Sequence, residues 1–186
     1  MLSSANDDGM TGQQIDVQIR PEFQKSLSVT WVGKVAKLAL IKGLASSGIP
    51  NDGHRLSLLV TGDDVVRDLN RTYRGLDKTT DVLAFSSEHP GVYMGKDQPY
   101  KSNFESPFIT PEEYGHFVGE VIISYPQCAR QATSEGKTAK DEMALLIAHG
   151  VLHLIGFDHL EPKEELAMKG VETEILSGIE RSEIQL

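Results

Sequence analysis

The stretch Met143-Ala-Leu-Leu-Ile-Ala-His149-Gly150-Val-Leu-His153-Leu-Ile-Gly156-Phe157-Asp158-His159 decides how the rest of the chain is read. Residues 143–155 are apolar nearly all round, which predicts a central, buried helix. Thr138, with Asp141 three residues on, predicts a capped start, and Gly156 predicts the stop. His149 and His153 stand at i and i+4, so their imidazoles project from one face. A turn at Gly156 can bring His159 back toward that face. Three imidazoles leave one position of a tetrahedron open, the pattern of a catalytic zinc site rather than a closed structural one. One zinc ion there would acidify its water and polarise an acyl or phosphoryl oxygen. A lone histidine on such a helix is more often a hydrogen-bonded core residue. Three of the chain's six histidines within 149–159, with a glycine before the third, read as a ligand set.

Working outward, Ile15–Ile19, Leu56–Val60, Asp81–Phe85 and Val118–Ile123 read as four strands. Trp31, Val35, Leu38, Ile41 and Leu44 repeat at helical steps, predicting a helix over 30–44. Thr61 with Asp64 predicts the capped start of a second helix through Val66 and Tyr73, ending near Gly75. Ser124 with Gln127 opens a third through Ala132, and Pro162 suits the first turn of a last helix to about Leu176. Residues 1–13 read as a flexible tail. Residues 87–115, with Pro90, Pro99, Pro107 and Pro111, read as a long loop insertion. Residues 14–186 therefore read as one α+β domain: a small mixed four-stranded sheet with about five helices around the His-bearing one, zinc-hydrolase-like.

The composition narrows the classes. At 186 residues, with 39% hydrophobic and 24% charged residues, one globular domain is expected. The single cysteine, Cys128, excludes an internal disulfide and a cysteine-based zinc site. It suits a reducing, cytoplasmic setting and reads as a small buried residue. The N-terminus lacks the basic and apolar regions of a signal peptide. The longest uncharged run, 143–157, is shorter than a membrane span and holds two histidines, so no membrane partner is expected. A net charge of −9 opposes coating of nucleic acid through bulk charge, but not cutting through a local site. Part of that charge is located. Residues 161–186 hold seven glutamates against Lys163, Lys169 and Arg181. A solvated last helix there would leave the cleft less acidic than the average.

The spacing His-x₃-His-x₅-His is similar to the zinc-protease pattern H-E-x-x-H-x-x-G-x-x-H. Gly150, however, stands where that pattern has its general-base glutamate, which argues against peptide hydrolysis by that route. The segment 149–159 resembles instead the H-G-x-L-H-L-x-G-[YF]-D-H signature of the YbeY endoribonucleases. Leu69-Asn70, Tyr73-Arg74 and Thr80-Asp81-Val82-Leu83-Ala84-Phe85 resemble that family's L-N-x-x-Y-R and T-[DN]-V-L-S-F. Gly119-Glu120-Val121-Ile122-Ile123-Ser124 is similar to its G-D-I-x-I-[SC]. The resemblance implies a zinc held by His149, His153 and His159, and an arginine in the same cleft, by position Arg74. It implies zinc-dependent cleavage of single-stranded RNA, not DNA, in ribosomal RNA maturation at the 16S 3′ end and in ribosome quality control. The ribosome or its proteins would be partners.

Without the resemblance, Arg74 is as ordinary as Arg71, and Arg71 and Lys78 read as a solvated helix face. Asp158 reads equally as an acceptor for a ligand imidazole or as the group that fixes the turn. Thr80 and Asp81 read first as strand-entry residues and second as pocket lining. The competing functions are a zinc hydrolase of a non-RNA substrate and a ribosome assembly factor with a mainly structural zinc.

Overall fold

The computed structural model describes residues 12–87, 92–93, 116–159 and 161–184. Strand β1 (Gln14–Ile19), helix α1 (Val29–Ser46) and strand β2 (Arg55–Thr61) form a β-α-β unit with parallel strands. Helix α2 (Asp63–Arg74) leads into β3 (Val82–Ser86) and the two-residue β4 (Val92–Tyr93). Then come β5 (Phe117–Ser124), α3 (Tyr125–Glu135), α4 (Ala139–Leu154) and α5 (Pro162–Ile184). The sheet order is β1-β2-β5-β3-β4. β2 runs parallel to both β1 and β5, and β3 runs antiparallel to β5 and β4. The expected α+β fold is present, with its four strands and five helices. β4 adds two residues to the sheet edge inside the stretch read as a loop. The remainder of that loop beyond Ser87 and residues 1–11 of the expected tail lie outside the described residues. Gln13 is buried, and its side-chain amide donates to Asn51.

Strand alternation sorts the core into two faces. Leu56, Leu58, Val60, Ala84, Val121 and Ile123 join the larger cluster with α1, α4 and α5. Leu83 and Ile122 point the other way, onto Val66 of α2, with Leu59, Leu69 and Phe85 packed around them. α4 is the most enclosed helix, as its all-round apolar sequence requires. Its start is the expected capping box: Asp141 N–H donates to Thr138 Oγ1 (3.1 Å), and Thr138 N–H donates to Asp141 Oδ2 (3.3 Å). Ser124 caps α3 as expected, its Oγ accepting from Gln127 N–H. Thr61 does not cap α2. It is the last residue of β2, buried and paired with Ser124, and Gly62 occupies the cap position with no side-chain bond. The strand ladder takes Thr61 before the helix can. No described helix is long and apolar enough to cross a membrane.

Two glycines let α4 sit where it does. A Cβ at Gly150 would stand 2.7 Å from Val121 Cγ1 and 3.2 Å from Val82 Cγ2, so α4 rests almost directly on β5 and β3. A Cβ at Gly43 of α1 would stand 2.3 Å from Ile155 Cδ1 and 2.9 Å from Leu152 Cδ2. Packing thus explains why position 150 carries no glutamate: no side chain fits between α4 and the sheet. Gly150→Ala is expected to lower unfolding stability by about 1–3 kcal/mol through overpacking. Urea denaturation measures this, and an unchanged midpoint would refute the close approach.

Candidate metal centre

α4 carries His149 and His153 one turn apart, their rings meeting edge-on with centroids 4.5 Å apart. His153 is buried, and His149 and His159 are half-buried. The helix ends in a Schellman turn. Phe157 N–H donates to Leu152 O (3.1 Å), Gly156 N–H donates to His153 O (3.2 Å), and Gly156 adopts φ 92°, a region open to glycine. The chain doubles back through this turn. His159 arrives with its ring centroid 5.6 Å from His149 and 5.4 Å from His153. One ligand nitrogen from each of the three lies within 4.8 Å of the others.

The hydrogen bonds around the two helical imidazoles set their tautomers. His149 Nδ1 donates to Glu172 Oε1 of α5 at 2.9 Å, and His153 Nδ1 donates to the Phe157 carbonyl at 2.7 Å. In a neutral ring whose Nδ1 donates, Nε2 carries a lone pair. The two Nε2 atoms nevertheless face each other at 3.0 Å. Only a proton or a metal cation relieves that contact. Zinc–imidazole bonds of 2.0–2.1 Å in a tetrahedron place neighbouring nitrogens about 3.3 Å apart, so the donor set fits such an ion. Burial, then the neighbouring His149, pushes the His153 imidazole down to about 3, while its bond to Phe157 pulls the other way. His153 is therefore held neutral, the form in which imidazole ligates.

The histidines open onto a cavity of about 580 Å³. Thr80, Asp81, Val82 and Ala84 line one side and Glu165, Met168, Lys169 and Glu172 of α5 another. Thr80 and Asp81 fill both of the roles considered for them: Asp81 Oδ1 accepts from Val82 N–H (2.8 Å) at the strand entry, and both residues line the cavity. Asp158 fixes the turn, its Oδ1 accepting from His159 N–H at 2.7 Å. Cys128 is buried in α3, and burial pushes its thiol up to about 12. Arg74 ends α2 half-buried and donates to Asn70 Oδ1 at 3.3 Å. It is not among the residues lining this cavity, although the Thr80–Val82 segment shortly after it is.

The last helix corrects an expectation. α5 buries Met168, Val171 and Ile175, and this docking sets the half-buried Glu172 into the cleft, with Glu165 and Lys169 at its exposed rim. Its charge is not remote from the site. Lys169 Nζ donates to Glu165 Oε1 at 2.6 Å, and Glu172 faces His149. Glu172 and the Phe157 carbonyl were not foreseen from sequence. The 165, 168, 169, 172 spacing beside the buried stripe was the available signal for Glu172. A main-chain carbonyl leaves none.

A mixed sheet whose most buried helix presents two imidazoles to an open cavity, with a third delivered by the turn that follows it, has the architecture of a metal-dependent hydrolase. Residues 17–180 match the family model described as Endoribonuclease YbeY. Over 156 residues the chain is 40% identical to the endoribonuclease YbeY of Dehalococcoides mccartyi (strain ATCC BAA-2266 / KCTC 15142 / 195), covering 84% of each protein. It is 34% identical over 163 residues to that of Heliobacterium modesticaldum, covering 87% of this chain and 89% of the relative. With that of Roseiflexus castenholzii it shares 30% identity over 166 residues, covering 89% and 92%. The chain belongs to the endoribonuclease YbeY family, and its enzyme class is nuclease.

Two outcomes follow from this geometry. Glu172→Gln is expected to weaken metal affinity about 10–100-fold by loosening His149, measured by competition with a chromogenic chelator. Unchanged affinity would mean that Glu172 does not orient the ligand. In the metal-free protein, His153 stays neutral when folded but takes a proton near 6.5 when unfolded. The unfolded state then binds more protons between pH 6.5 and about 3, so stability falls as pH drops through that window. Urea midpoints on either side of pH 6.5 measure the fall, which should be smaller in His153→Gln.

Proposed function

We propose that this chain is a zinc-dependent endoribonuclease that cuts single-stranded RNA in the cytoplasm, with ribosomal RNA precursors, at the 16S 3′ end, as its substrates. The observation that carries the reading is the facing pair of Nε2 atoms at 3.0 Å, completed by His159, in a chain of this family. His149, His153 and His159 would hold the ion. Three neutral imidazoles with one open position favour zinc over the harder divalent cations. When bound, zinc supplies a Lewis acid for a phosphoryl oxygen.

The protein's own groups do the positioning. Glu172 and the Phe157 carbonyl hold the His149 and His153 rings in their ligating tautomers. Arg74 is assigned to the phosphate. Its support is its place in the Tyr73-Arg74 motif and its position at the end of α2, ahead of the cavity-lining Thr80–Val82 segment. Cleavage builds charge on the non-bridging oxygens, and a guanidinium meets two of them at once. The −9 charge and the carboxylates of α5 oppose tight binding of naked RNA, which supports delivery of the substrate by the ribosome or its proteins.

Zinc-loaded protein is expected to cut single-stranded RNA and to leave peptide substrates intact. His153→Ala should lose both zinc and cleavage. Arg74→Ala should keep zinc and lose about 10²–10³-fold in cleavage rate. Gel assays on a ribosomal RNA precursor, read beside metal analysis, decide this. RNA left whole by a zinc-loaded, folded protein would overturn the reading.

A further inference from the structure

The cleft beside the histidines is rich in carboxylates. Asp81, Glu135, Glu165 and Glu172 border it, and among the described residues around it Lys169 is the one lysine or arginine. A polyanion drawn to the histidine centre therefore meets repulsion from most of the charged side chains in its path. Lys169 is placed to offset that. It stands on α5 one turn before Glu172, the residue that holds His149, and one turn after Glu165. Its side chain is 67% exposed, so a ligand entering the cleft can reach the ammonium. The bond to Glu165, then the charges of Glu165 and Glu172, hold that ammonium above its ordinary value, so it stays charged at neutral pH. Its present partner is Glu165 Oε1, at 2.6 Å. Such an i,i+4 pair between exposed side chains contributes only about 0.3–0.5 kcal/mol. A phosphate brought to the rim can take the lysine over, because its oxygens make the same charge-assisted bond.

We infer that Lys169 binds a backbone phosphate of the RNA strand held at the histidine centre, and that Glu165 occupies the lysine until the phosphate displaces it. This rests on the RNA reading above and adds to it a phosphate contact on the α5 wall of the cleft. The exchange breaks no covalent bond. The ammonium trades a carboxylate oxygen for a phosphate oxygen, and Glu165, itself exposed, is left to water. A lysine is a point charge on a flexible stem, so the contact adds affinity whatever the neighbouring base. The two members of the pair thus act in opposite directions on RNA: Lys169 draws the strand in, and Glu165 competes with it. A pair that served only the surface of α5 would leave RNA binding unmoved.

The probe is a short 2′-O-methyl oligouridylate, bound to the zinc-loaded full chain and followed by fluorescence anisotropy across a range of salt concentrations. Glu165→Gln is expected to tighten binding and Lys169→Gln to weaken it, each by at least about three-fold at low salt. Each single change also alters the charge of the cleft. The decisive protein is therefore the double variant, Glu165→Gln with Lys169→Gln, in which the pair stays neutral overall. It should still bind more weakly than the unaltered protein. Its slope of log affinity against log salt should be shallower by about 0.7, the loss of one phosphate contact to a single strand. A double variant with unaltered affinity and slope would overturn the contact, as would a probe that does not bind at low salt. Unchanged affinity in Glu165→Gln would overturn the exchange. RNA cleavage by the same preparations is scored separately. Cleavage with a salt slope indifferent to Lys169 refutes the contact alone, whereas a slope that falls with Lys169 in a protein that leaves RNA whole refutes the nuclease reading and upholds the contact.

Discussion

Two imidazole nitrogens with facing lone pairs, 3.0 Å apart on the most buried helix, are the constraint around which this molecule is built. Left alone, the pair is repulsive. Each ring is nevertheless locked in the repelling tautomer, one by a carboxylate on α5 and one by a carbonyl in the turn that ends α4. A fold that spends hydrogen bonds to hold two lone pairs together is organised for a cation between them. His159 belongs to the same device, because the Gly156 turn that supplies the Phe157 carbonyl also carries the chain back to deliver it.

The surrounding packing serves that device. Gly150 lets α4 rest on β5 and β3, and Gly43 lets α1 close over the other side. Between them α4 has little freedom to slide or turn, so the spacing of its histidines is carried by the core and not by the loops. The same burial desolvates His153 and keeps it neutral. α5 closes the arrangement, since its buried Met168–Val171–Ile175 stripe sets Glu172 against His149.

Much of this was legible in the sequence, for identifiable reasons. Period-two and helical repeats located the four long strands and five helices, because one buried face per element leaves a regular trace. The i, i+4 histidines and Gly156 located the three-histidine group that could hold a metal, because a helix and its stop are local. What escaped detection was non-local. Glu172 lies 23 residues beyond His149, and only the docking of α5 joins them. Thr61 had a cap's spacing, but the ladder with Ser124 took it into β2, a competition that no local pattern records. Arg74 shows the limit of the motif: its place in the chain matched, while the cavity wall nearest the histidines is made by other residues.

The central claim is that three imidazole ligands close on one ion. X-ray absorption at the zinc edge of the zinc-loaded protein tests it most directly. The account predicts an inner shell that includes three imidazole nitrogens at about 2.0–2.1 Å. A shell of water and carboxylate oxygens, or one with fewer than three imidazoles, would contradict it.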